Sequence, residues 1–154
     1  MSRLDAISLA ILIELGLTSS DAGWRLADAA DSGPQVVRVA KKYKGATYKW
    51  GGASPRGFDC SGFIWYVCKK ATGKSITRGV NEQSKHGRSV SRGKWRLGDL
   101  VFFENTIERG LSHVGIYVKR DDFIHAENER TGVVISSPSS DYFSKHYAVA
   151  RRFL

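Results

Sequence analysis

From Asp99 onward the chain changes its hydrophobic period, and that change limits the folds open to it. DLVFFE (99–104), SHVGIYV (112–118), DFIHA (122–126), GVVIS (132–136) and YAVARRF (147–153) are short and rich in β-branched and aromatic residues. Turn-like clusters separate them, so they read as five strands. Ahead of them apolar residues recur at helical spacing. Ser32-Gly33-Pro34 reads as a helix start, Val36, Ala40 and Tyr43 follow, and Gly45 stops the run. CSGFIWYVCKKA (60–71) is apolar enough for a buried helix and ends before Gly73, and residues 80–86 read as a short helix. Helices first and strands later indicate an α+β domain, N-terminal helices packing on an antiparallel sheet of about five strands. With 154 residues, 42% of them hydrophobic, the chain can bury one core. The expected division is an N-terminal segment over 1–31 and a single domain over 32–154.

The N-terminal segment has two readings. Residues 6–17 (AISLAILIELGL) are strongly apolar, Arg3 precedes them, and Ala27-Asp28-Ala29 resembles a signal-peptidase site. Asp5 and Glu14 interrupt the pattern and fit an amphipathic helix packed on the domain equally well. A transmembrane span is not expected, since it needs roughly 18 or more uninterrupted apolar residues.

Charge is uneven. The net charge is +9, yet residues 1–31 hold five acids and two bases. Residues 69–96 hold nine bases and one acid, Glu82. Such a block favours an anionic polymer partner such as cell-wall polymer, a lipid surface or nucleic acid, or it is simply a solvated face. Trp95 is the one aromatic residue inside it, which argues against a nucleic-acid stacking platform.

The two cysteines, Cys60 and Cys68, lie eight apart in one predicted helix, about 12 Å along its axis. That is too far for a disulfide, which needs Cα atoms within about 7 Å, so two free thiols are expected. Cys60 follows a Gly-rich loop and opens the helix. Unpaired N–H groups and the helix dipole there would favour a thiolate. Asp59 is placed to cap the helix, with a charge that would oppose that thiolate. Cys68 sits inside the apolar run and reads as core.

His113 and His125 fall on consecutive strands, and Gly115 beside His113 leaves room for a helix to approach that face. A cysteine with a histidine held by a third polar group is the recurring arrangement for thiol nucleophiles. A Cys/His/His zinc site is the competing reading, but no CxxC or HExxH pair supports it, so no metal or cofactor is expected. His86 and His146 read as surface residues.

YKWGGASPRGFDCSGF (48–63), TRGVNEQ (77–83), RLGDLVFF (96–103), HVGIYV (113–118) and FIHA followed by GVVIS (123–136) together resemble the NlpC/P60 family in order and spacing. The resemblance covers roughly residues 35 to 154. It implies a compact papain-like fold and a cysteine endopeptidase acting on peptidoglycan stem peptides, typically at the D-γ-glutamyl–diamino acid bond. It assigns Cys60 as nucleophile, His113 as general base and acid, and His125 as the residue orienting it. Tyr48 matches a tyrosine near the oxyanion or substrate. Asp59 and Ser61 match residues that hold the stem peptide's free amine, and Arg78 matches a family position without an assigned role. The implied location is the cell envelope, the periplasm or the exterior, with cytoplasmic synthesis and later delivery also open. Two alternatives remain: an amidase or acyltransferase on a non-wall amide, and a basic polymer-binding module with a degenerate thiol site.

Overall fold

The computed structural model describes residues 32–154, so the two readings of segment 1–31 lie outside the described residues. Helix α1 is Ser32–Lys42 and buries Gly33, Val36, Val37 and Ala40 along one stripe. The 3.6-residue spacing of that stripe is what turns the helix onto the core. The following Gly-rich stretch is more ordered than the loop expected from sequence. It folds into a small hairpin, β1 (Ala53–Ser54) against β2 (Gly57–Phe58).

Helix α2, Cys60–Thr72, carries the apolar run. Asp59 caps its start by accepting a 2.6 Å hydrogen bond from Gly62 N–H. Gly73, at φ 73°, ends it in the left-handed conformation that glycine adopts without steric cost, and its N–H donates to Lys69 O. A short helix α3 (Val80–Gln83) and strand β3 (Arg88–Val90) follow. Then come β4 (Leu100–Glu104), β5 (Leu111–Lys119), β6 (Asp122–Asn128), β7 (Gly132–Ser136), helix α4 (Asp141–His146) and β8 (Tyr147–Arg152).

The main sheet has six antiparallel strands in the order β3-β8-β4-β5-β6-β7. The sixth strand, β3, escapes sequence reading because it is three residues long and two of them, Arg88 and Ser89, are polar and exposed. Helix α4 is likewise unanticipated. Its start is capped by Ser140, whose hydroxyl accepts from Phe143 N–H.

Both faces of the sheet centre are covered. Leu100, Phe102, Val114, Ile116 and Ile124 pack beneath α1 and α2. Val101, Phe103, Phe123 and Ala150 form a second cluster on the other face with Phe143 of α4. Burial on two sides explains why β4 is a continuous apolar run rather than an alternating one.

The room beside Gly115 is used differently from the sequence expectation. A side chain there would collide with the Phe123 ring, so an aromatic ring fills the gap. Helix α2 packs on the opposite face, through Val114 and Ile116. The sheet is also interrupted near its functional end. Phe103 pairs with His113 but Glu104 with Leu111, leaving Ser112 as an extra residue in β5. Ala126 pairs with Val133 but Asn128 with Gly132, leaving Glu127 extra in β6. Such bulges redirect side chains at a sheet edge.

Candidate active site

Cys60 stands at the first position of α2, 6% exposed. The loop before it is held tightly enough that any side chain on Gly62 would collide with Gly52 O. Asp59 is fastened on every side. Its Oδ1 accepts from Gly62 N–H, from Ser61 Oγ at 3.4 Å and from Arg78 at 3.2 Å. Its Oδ2 accepts from Gly51 N–H at 3.0 Å and from Arg78 at 3.3 Å. Arg78 also donates to Ser61 Oγ at 3.0 Å. Arg78, without a role in the sequence reading, is therefore the clamp that ties the helix cap to the loop.

Gln83 performs a similar task from α3. Its Nε2 donates to Ser61 O and to Thr77 O, each at 2.9 Å, while its buried Oε1 has no partner among the described residues. The bond to Ser61 O fixes the first turn of α2 directly behind the cysteine. In the sequence Gln83 closes the family-like segment 77–83, where nothing indicates this function.

The Cys60 thiol points at β5. Its sulfur lies 3.9 Å from Ser112 O and makes no hydrogen bond to His113. Burial pushes its pKa up to about 11, and the Asp59 charge adds to the rise. The N–H groups of Ser61, Val114 and Cys60 pull the other way. The helix-start effect expected from sequence is thus present, but desolvation outweighs it.

His113 and His125 meet across the sheet. His113 Nε2 and His125 Nδ1 are 2.6 Å apart, and His125 Nε2 is 2.8 Å from Ser136 Oγ. Phe103, Phe123 and Phe143 surround the pair, with Phe123 stacked on His125 at 4.3 Å between centroids. In that apolar cage His113 is lowered to about 4, because burial disfavours its charged form. His125 falls well below its ordinary value through burial and the neighbouring His113. The hydrogen-bonded nitrogens stand too close to share an ion, and no cluster among the described residues could hold a metal.

Tyr48, Asp59, Cys60 and Ser61 line one cavity of about 290 Å³. Burial, followed by the Cys60 and Asp59 charges, raises Tyr48 to about 12, so its hydroxyl stays protonated and able to donate. His113 lines a neighbouring cavity of about 280 Å³, and Ile107 belongs to the walls of both. Five of the six expected site residues therefore line these two adjoining cavities, and the sixth, His125, sits behind His113 through its side-chain hydrogen bond. Cys68 is fully buried in the core, as expected, and both cysteines are free. His86 and His146 are half-buried rather than fully exposed, bonding Thr77 Oγ1 and Glu104 O away from the junction.

Residues 45–152 match the NlpC/P60 family. The chain is 45% identical over 121 residues to a probable peptidoglycan endopeptidase LytE of Bacillus subtilis, a match covering 77% of this chain and 34% of that one. It therefore spans about a third of that relative's length. It is 37% identical over 137 residues to the murein DD-endopeptidase MepS/murein LD-carboxypeptidase of Escherichia coli, covering 88% of this chain and 71% of that one. An NlpC/P60 family protein of Bacillus cereus superposes with a TM-score of 0.73 at 32% identity, over 79% of this chain and 40% of that one. By sequence along most of its length and by fold, the chain belongs to the NlpC/P60 family.

Proposed function

We propose that this chain is a cysteine endopeptidase that hydrolyses peptidoglycan stem peptides at the D-γ-glutamyl–diamino acid bond. One observation carries the reading: a thiol at a helix start, its sulfur against the Ser112 backbone, beside a buried His113–His125–Ser136 relay. Relatives named for peptidoglycan and murein cleavage supply the substrate class. Their names cover more than one bond, so the choice of the γ-glutamyl bond rests on the family resemblance.

Cys60 is the nucleophile, His113 the base and acid, and His125 the residue that orients His113. With Cys60 near 11 and His113 near 4, both are neutral at pH 7, so proton transfer accompanies attack rather than preceding it. His113 takes the thiol proton as sulfur bonds to the carbonyl carbon. The N–H groups at the start of α2 and the Tyr48 hydroxyl hold the oxyanion. His113 then returns the proton to the amine as the C–N bond breaks. Water gives its proton to His113 as it displaces sulfur from the thioester and frees the acid, and His113 returns that proton to the Cys60 thiolate.

Asp59 and Ser61 line the cavity on the acyl side and meet the stem peptide's free amine. The exposed bases Lys69, Lys70, Lys74, Arg88 and Lys94 supply a contact to anionic wall polymer, and relatives named for peptidoglycan and murein cleavage support action in the envelope or outside the cell. No described helix is long and apolar enough to cross a membrane.

The deciding experiment is product analysis of purified protein with diaminopimelate-type muropeptides, beside a Cys60→Ala control. The expected result is cleavage between D-glutamate and the diamino acid, absent in the control. Cleavage that persists in the control, or no cleavage of any muropeptide, would remove the proposal.

A further inference from the structure

We infer that the cavity lined by His113 is the subsite for the leaving half of the substrate, and that Glu127 selects there for a side chain bearing an ammonium group. The inference rests on the endopeptidase reading and adds a specificity residue to it.

Chemistry assigns the two cavities. The acyl carbon must reach the Cys60 sulfur, and the departing nitrogen must take its proton from His113. Cys60 lines the first cavity and His113 the second, with Ile107 forming a wall common to both. The scissile bond therefore crosses at Ile107, and whatever follows it enters the cavity formed by Thr106, Glu127, Asn128, Tyr142 and Phe143. Its volume of about 280 Å³ is enough for one amino-acid residue.

The charge of this lining runs against that of the chain. A protein of net charge +9 lines both cavities with carboxylates and with no lysine or arginine: Asp59, Glu82 and Glu108 in the first, Glu127 in the second. Asp59 is already ion-paired with Arg78 and accepts from two N–H groups. Glu127 is different. Its Oε2 accepts a 2.6 Å hydrogen bond from Thr131 Oγ1, which steadies the carboxylate, while Oε1 accepts none from the described residues.

Glu127 is also the extra residue of the β6 bulge. In an unbroken ladder its direction would be set by alternation with Ala126 and Asn128. The bulge releases it from that alternation, as bulges beside functional sites do. A steadied carboxylate with a free oxygen, half-buried in a cavity next to the proton donor, is matched by a primary ammonium on the leaving residue.

The test uses two soluble peptides that differ by that one group: γ-D-glutamyl-L-lysine and γ-D-glutamyl-L-norleucine, each with the same acyl portion. The wild-type protein is expected to cleave the lysine peptide with kcat/KM about tenfold higher, the worth of one charge-assisted hydrogen bond. In Glu127→Gln, an isosteric change checked for an unchanged melting temperature, the ratio should fall to near one. Equal cleavage of both peptides by the wild type, or a ratio that survives Glu127→Gln, overturns the inference while leaving the endopeptidase intact. If neither peptide is cut and muropeptides are not cut either, the endopeptidase reading falls and takes this one with it.

Discussion

In the proposed mechanism the proton on His113 depends on a relay that ends at a serine two strands away. For His113 to accept the thiol proton at Nδ1, its own proton must sit on Nε2 and be donated to His125 Nδ1. His125 must then carry its proton on Nε2 and donate it to Ser136 Oγ, 2.8 Å distant. In that arrangement Ser136 is the acceptor at the end of the relay. Without it, the Nε2–H of His125 loses its acceptor, and the productive tautomer loses a hydrogen bond. Ser136→Ala is expected to lower kcat about tenfold with KM little changed, roughly the worth of one buried hydrogen bond. Ser136→Thr should restore most of the loss. Steady-state kinetics on a muropeptide decides it, and an unchanged kcat in the alanine variant would show that Ser136 only packs. Cys60, His113 and His125 could be picked out as candidates in the sequence because their residue types and order carry the family resemblance. Ser136 was not, because its role depends on His125 pairing with Val134, and strand register cannot be read from composition.

Helix α2 shows how one element balances stability against reactivity. Asp59 is a strong cap, and it is also a negative charge beside the Cys60 thiol that raises its pKa. Asparagine caps a helix about as well as aspartate but carries no charge. Asp59→Asn should therefore leave the helix start in place and lower the Cys60 pKa by about one pH unit. The sign follows from removing a like charge next to the thiolate. Burial remains, so the value stays above that of an ordinary thiol. The pH dependence of alkylation by iodoacetamide reads this directly, because Cys68 is fully buried and unreactive by comparison. An inflection that does not move, or moves upward, would show that the Asp59 charge is already neutralised by Arg78. The ends of α2 were visible beforehand, in the loop before Cys60 and in Gly73. The hairpin β1–β2, strand β3 and helix α4 were not. Each has six residues or fewer, too short for a hydrophobic period to emerge, and each is held by tertiary contacts such as Phe143 against Phe103 and Phe123.

At the scale of the whole molecule, charge is sorted by location. The two cavities are lined by carboxylates, while Lys69, Lys70, Lys74, Arg88 and Lys94 are exposed to solvent. A polymer with anionic chains and amine-bearing peptides presents the complement of both surfaces, so the outer bases would gather the wall while the cleft takes the stem. A structural explanation competes with this. Strand β3 is an edge of the main sheet, and basic side chains on an edge discourage pairing with another copy. The two explanations differ in what a charge change alters. Arg88→Glu with Lys94→Glu should weaken co-sedimentation with purified wall sacculi while leaving cleavage of small soluble peptides intact. Raising salt from about 50 mM to about 300 mM should weaken wild-type binding in the same way, because the Debye length shrinks below the reach of these exposed side chains. If wall binding is unchanged at low salt and the double variant instead self-associates, the bases serve as edge protection and the wall contact lies elsewhere.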